Sequence, residues 1–125
     1  MNLASVSYAD ATVLTPDMPR IDHANAEEFK TALKPHLDRC TAHGPRLVLD
    51  FSRVEYISSV GLRVLMLAAR QVKAQGGSVV LAALQDVVRE IFTISRFNLV
   101  IECFPEVCDA LAGKSSAALA AAGGK

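Results

Sequence analysis

Residues 46–67 read RLVLDFSRVEYISSVGLRVLML. Leu47-Val48-Leu49 is an uninterrupted apolar run, the pattern of a strand covered on both faces. The segment SRVEYI then reads as a loop, and Ser58 and Ser59 come directly after it. Serine suits a helix N-cap because its hydroxyl can accept a hydrogen bond from an otherwise orphaned backbone N–H. A helix is therefore expected from about Val60 to Gln75. Leu62, Leu65, Ala69 and Val72 lie on one stripe of it, with Val64 and Ala68 beside them. Arg63, Arg70 and Lys73 fall off that stripe, with Met66 and Leu67 among them, and Met66 reads as an exposed side chain. Gly76-Gly77 ends the helix. A buried strand turning into a helix through two hydroxyls is a unit of an α/β sheet.

Toward the C-terminus the same alternation repeats. Val79-Val80-Leu81-Ala82 is a second buried strand, VVREIFTIS (87–95) a helix, and Leu99-Val100-Ile101 a last short strand. Pro105 suits the start of a helix over Glu106–Leu111, since its missing N–H costs nothing there. The tail from Gly113, GKSSAALAAAGGK, is low in complexity and expected to fray. One domain over residues 1–112 is the natural division.

Toward the N-terminus, residues 2–8 and 11–15 read as two short strands around a turn at Ala9-Asp10. Pro16 and Pro19 interrupt the chain after the second strand, so a continuation to Ile21 should be an edge or bent segment. Asp22 or Asn25 can cap the next helix, with Glu27 and Glu28 in its first turn. Ala26, Phe29, Ala32, Leu33, Leu37 and Cys40 give that helix its apolar spacing. Pro35 should kink or weaken it, and His43-Gly44-Pro45 should stop it. Helices alternating with apolar strands imply a mainly parallel sheet with helices packed on it. Sites in such sheets form beyond the C-terminal strand ends. Asp22, the Ser58-Ser59 turn and the pair Leu84-Gln85 all occupy such places.

Composition narrows the function. Of 125 residues, 51% are apolar and 21% charged, an ordinary globular balance. Thirteen basic and thirteen acidic side chains cancel. This neutrality argues against nucleic-acid binding, which leans on Lys/Arg contacts to phosphates, and against a membrane surface. No apolar run approaches a membrane span, and MNLASVSYAD lacks the basic start and apolar run of a signal peptide. Cytoplasm is the expected location. Cys40, Cys103 and Cys108 form no CxxC pair and read as reduced, mostly buried thiols. His23, His36 and His43 lack ligand spacing with them, so no metal or other cofactor is expected.

The serine turn can be a cap, a nucleophile or an acceptor of phosphate. A hydrolase elbow would need G-x-S-x-G, and Ile57 stands where the first glycine belongs. No catalysis is therefore expected. A phosphate on Ser59 would add roughly −1.5 to −2 charges at a helix N-terminus, where anions are tolerated. It would change the surface offered to a partner without unfolding the domain.

Residues 47–111, from LVLDFSRVEYISSVGLRVLML to FPEVCDAL, resemble a STAS domain. They are most similar to the bacterial anti-sigma factor antagonists. PRIDHANAEEF (19–29) resembles the family's G-x-[LI]-D strand ending and first helix, and ISSVGL its D/S-S-x-G-L turn. With the opening hairpin the resemblance covers about residues 3–112. It implies an α/β STAS fold: a short N-terminal hairpin and a mainly parallel four- to five-stranded sheet packed by about four helices. It also implies partner switching, in which the unphosphorylated antagonist binds an anti-sigma factor that is a GHKL-type serine kinase and so releases sigma. The kinase phosphorylates the turn serine and ejects the antagonist, and a PPM-type serine phosphatase restores it. The phosphoacceptor falls on Ser59, with Ser58 the second choice, since Ser58 stands where the family often has Asp. Pro19 stands where a glycine is common. The partner surface is expected to use Asp22, His23, Ser58, Ser59, Val60, Gly61, Arg63, Met66, Leu67, Leu84 and Gln85, on a monomer or weak dimer. The alternative is a non-switching STAS scaffold, or a subunit of a lipid-transport or stressosome-like complex.

Overall fold

The computed structural model describes residues 3–8 and 11–114. Strands β1 (Leu3–Tyr8) and β2 (Ala11–Pro16) pair antiparallel. The expected turn at Ala9-Asp10 lies outside the described residues. Next come β3 (Arg20–Ile21), α1 (Ala26–Arg39), β4 (Arg46–Asp50), β5 (Tyr56–Ile57) and α2 (Ser59–Ala74). The chain continues through β6 (Val79–Ala82), α3 (Asp86–Ile94), a 3-10 turn (Phe97–Leu99), β7 (Cys103–Phe104) and α4 (Val107–Lys114). The main sheet has the order β1-β2-β4-β6-β7, parallel except for the hairpin. This is the α/β architecture expected from the sequence.

Strand alternation builds two cores. Leu47 and Leu49 of β4 point to one face, where they meet Phe29 of α1, Leu65 of α2 and Phe92 of α3. Val48 points the other way, toward Val13, Val80 and Ala82, and this face is covered by Ala110 and Leu111 of α4. The apolar centre of β4, Leu47-Val48-Leu49, thus has a physical cause: neither of its faces meets water.

Several local expectations are corrected. VEYI is not all loop, because Tyr56-Ile57 forms β5 and pairs parallel with β3 in a separate two-stranded sheet. Leu99-Val100-Ile101 is not a strand. Arg96 takes a left-handed conformation (φ 59°) and turns the chain, and buried Phe97 stacks edge-on against Phe92, 5.2 Å between ring centres. Leu99 and Val100 are left exposed, and the last strand forms at Cys103-Phe104 instead. The buried stripe of α2 runs through Gly61, Val64, Leu65, Ala68 and Val72, with Leu62 and Ala69 on its flanks. Helix α1 stops at Arg39, ahead of His43-Gly44-Pro45, and Thr41 bridges to Gly76. It runs through Pro35, which is exposed, as is Thr31, whose carbonyl the missing N–H would have served. Water can satisfy that carbonyl. Helix α4 runs from Val107 to Lys114 where a helix over Glu106–Leu111 was expected; the rest of the tail, 115–125, lies outside the described residues.

Candidate functional site

The short β3–β5 sheet sets the register of the site. Arg20 stands opposite Tyr56 and Ile21 opposite Ile57, so Asp22 and Ser58 leave their strands side by side. Backbone bonds fix this edge: Pro19 O accepts from Glu55 N (2.7 Å) and Tyr56 N (3.1 Å), and Ser58 N donates to Ile21 O (2.8 Å). Pro19 can stand here because this register asks it only for its carbonyl.

Asp22 shapes its own turn. Its Oδ1 accepts from Ala24 N (3.0 Å), and its backbone N donates to Asn25 Oδ1 (2.9 Å). Asn25 Nδ2 reaches back to Arg20 O (2.7 Å). Neither side chain caps α1 in the expected way: Asn25 holds the N-cap position but spends its side chain on the β3 turn. The Arg20 guanidinium lies over the Tyr56 ring, 4.5 Å from its centre, with Nε 3.6 Å from Asp22 Oδ2. Both Arg20 and His23 are exposed, so this cluster decorates the rim.

The two serines have different jobs. Ser58 is the N-cap of α2, extended at φ −87° and ψ 173°, and its Oγ accepts from Gly61 N at 3.4 Å. Ser59 is the first helical residue and is exposed. Its hydroxyl makes no hydrogen bond among the described residues. Gly61 lies beneath, and an added Cβ there would stand 2.7 Å from Ile57 Cγ1, 2.9 Å from Ile21 Cγ2 and 3.1 Å from Ile21 O. Gly61 is thus a buried close-approach residue, not a surface contact. Ser58→Ala is expected to destabilise the fold by about 1 kcal/mol or less, since the cap bond is long. A thermal melt by circular dichroism checks it; Ser59→Ala should leave the melt unchanged.

The remaining candidates divide. Val60, Arg63 and Leu67 are exposed along α2, whereas Met66 is half-buried and leans on the core, contrary to its expected exposure. Leu84 is half-buried, coming after Ala83 in the left-handed region (φ 60°). Gln85 is exposed, and its Nε2 donates to Ser52 O (2.8 Å). Ser52 N in turn donates to Asp50 Oδ1 (3.0 Å), and Thr15 Oγ1 to Asp50 Oδ2 (3.4 Å). Asp50 therefore orders the loop after β4 and ties Leu84-Gln85 to the same rim. Sequence reasoning missed Arg20 and Tyr56; the apolar-polar alternation of VEYI was the available signal.

Elsewhere, a cleft of about 430 Å³ opens between α3 and β7, lined by Arg89, Phe92, Glu102 and Cys103 among others. Burial, with the Glu102 charge adding to it, pushes the Cys103 thiol up to about 11, so it stays protonated at neutral pH. Cys40 is buried, donates to Ser78 O (3.2 Å) and is likewise shifted up by burial. All three cysteines are free. Glu106, Cys108 and Asp109 bring three potential ligand atoms together at the start of α4, on a surface that is mostly open. Among the described residues, no histidine bonds to either serine and no helix is long and apolar enough to cross a membrane.

Comparison with known proteins agrees with this geometry. BtrV of Bordetella bronchiseptica, named as a candidate anti-sigma factor antagonist, is 43% identical over 77 residues, 62% of this chain and 64% of BtrV. The match thus spans less than two-thirds of that relative. The anti-sigma factor antagonist SpoIIAA, a Bacillus cell-fate determinant, superposes with a TM-score of 0.68 at 16% identity in its unphosphorylated form, over 92% of this chain and all of that one. Its phosphorylated form gives 0.63, over 91% and 98%. A part of the murine solute carrier 26 family member A9 anion transporter shares the fold at a TM-score of 0.74 and 19% identity, over 84% of this chain and 18% of the transporter. These solved structures are similar in fold. The STAS domain family model matches residues 2–110, and the chain belongs to the STAS domain family.

Proposed function

We propose that this chain is an anti-sigma factor antagonist in a partner-switching pathway, a binding protein without catalysis of its own. Its unphosphorylated form binds an anti-sigma factor that is a GHKL-type serine kinase, and sigma is released. Phosphorylation of Ser59 breaks that complex, and a PPM-type phosphatase reverses it in the cytoplasm. Neither nucleic acid nor membrane takes part. The observation that carries this reading is the division of labour at the turn. Ser58 holds the cap, while the Ser59 hydroxyl is exposed and unengaged. A phosphate there meets the N-terminal helix dipole and stays compatible with the fold. The 43% identity to BtrV supports the same assignment. Ser58 in place of the family's usual Asp removes a charge beside the acceptor, which lowers the local negative field before phosphorylation.

The second reading is a non-switching STAS scaffold, as the same fold inside the transporter allows, in which Ser58 caps α2 and Ser59 is an unmodified surface residue. Incubation with a GHKL-type kinase and ATP, with mass spectrometry of the product, separates the two. The expected result is one phosphate, on Ser59 and absent from Ser59→Ala. No incorporation, with Ser59→Ala binding partners as the wild type does, favours the scaffold.

A further inference from the structure

Helix α2 carries Arg63, Arg70 and Lys73 and no acidic residue over its 16 residues. Val60 and Leu67, two turns apart on one face, are 42% and 40% exposed. Arg63 and Arg70 are also two turns apart and exposed, and they run beside that apolar line. Neither arginine has a partner among the described residues. On the other side, α1 and α2 leave a groove floored by Leu33, Val64 and Ala68 and rimmed by Lys30, Lys34 and Leu67. An apolar line is thus bracketed by two lines of cations. Its head lies at Val60, next to Ser59.

Acidic groups flank the groove at its two ends: Asp22, beside Ser58 at the head, is paired with Arg20 (Nε to Oδ2 3.6 Å), and Glu27 and Glu28 stand in the first turn of α1. Asp38 lies toward the far end, 3.6 Å from Lys34 Nζ and accepting from Gln71 Nε2 (2.9 Å). Glu27 and Glu28 line a separate depression with Thr31 and Ala32. Exposed apolar residues spaced by seven match the face of an amphipathic helix, and two flanking cation rows match acids on both of its edges.

We infer that the α1–α2 groove receives an acidic amphipathic helix of the anti-sigma factor kinase, laid along Val60–Leu67 between the Lys30/Lys34 and Arg63/Arg70 rows. This rests on the proposed function and names the partner's recognition chemistry. It also explains how a phosphate acts at a distance. Modification of Ser59 puts negative charge at the head of a groove built to hold negative charge, so the helix is repelled along with the kinase site.

The test uses the full unphosphorylated chain and its cognate kinase, with affinity measured by calorimetry at two salt concentrations. Arg63→Glu with Arg70→Glu, and separately Lys30→Glu with Lys34→Glu, are each expected to weaken binding by about tenfold or more and to flatten its salt dependence. Arg46→Glu, at the start of β4 away from the groove, should bind as the wild type does. If a reversal lowers the melting temperature, the alanine pair at the same positions replaces it, with a loss of about threefold expected. Affinities within about twofold of wild type would overturn the inference. If Ser59 is still phosphorylated and Ser59→Asp still loses the kinase, the switching reading survives that result; if they fail too, both fall. Cations that instead govern self-association or duplex DNA binding, and leave kinase affinity alone, would also overturn it.

Discussion

Ser59→Asp is expected to weaken binding of the anti-sigma factor kinase by roughly 30- to 1000-fold, a loss of about 2–4 kcal/mol, with the melting temperature unchanged or slightly raised. The two halves of that result have separate causes. Binding falls because an anion replaces a small exposed hydroxyl where the partner must approach. Stability holds because the first helical residue is a favourable place for a carboxylate, and because Ser58, which is untouched, keeps the bond to Gly61 N. Calorimetric titration gives the first number and a circular dichroism melt the second. An unfolded variant would show that Ser59 is structural, and unaltered affinity would show that the partner does not read this position.

Gly61→Val should be the most damaging single change at the site, with a loss of about 3 kcal/mol in urea denaturation. A Cβ alone would overlap Ile57 Cγ1 and Ile21 Cγ2 and crowd Ile21 O. The first two are buried side-chain atoms in a packed core, and the third is backbone. Relief means separating α2 from β3 and β5, which lead directly into Asp22 and Ser58. Kinase binding should therefore fall with stability in this variant, unlike in Ser59→Asp. Gly61→Ala should fall between wild type and valine. A wild-type melt for Gly61→Val would mean that the helix and the short sheet are less tightly joined than these distances require.

Sequence sufficed where burial was two-sided or where a stop was local. Leu47-Val48-Leu49 and Val79–Ala82 are apolar because helices cover both faces of the sheet. Gly76 marks the end of α2 through its own backbone at φ 78°. It failed where partners are distant. Tyr56-Ile57 is a strand only because Arg20-Ile21 pairs with it, and the stacking of Arg20 on Tyr56 depends on that same pairing. Leu99-Val100-Ile101 has local strand character that burial of Phe97 overrides by turning the chain first. Two neighbouring serines are equivalent in propensity, so only the helix's starting register could separate cap from free hydroxyl. Met66 and Gly61 were misjudged for a related reason. The rotation of α2 is set by its packing against α1 and by the close approach of Gly61 to Ile21 and Ile57, which no spacing within α2 encodes.

That separation of cap from free hydroxyl also bears on time. A covalent change on a residue that holds a helix in place must wait for local melting and rebuilding before a partner sees a new surface. In the proposed switch the strut and the message are different side chains. A phosphate transferred to Ser59 would complete the new surface at once, and the delay before partners exchange would be set by how fast the old complex dissociates and the next one diffuses in.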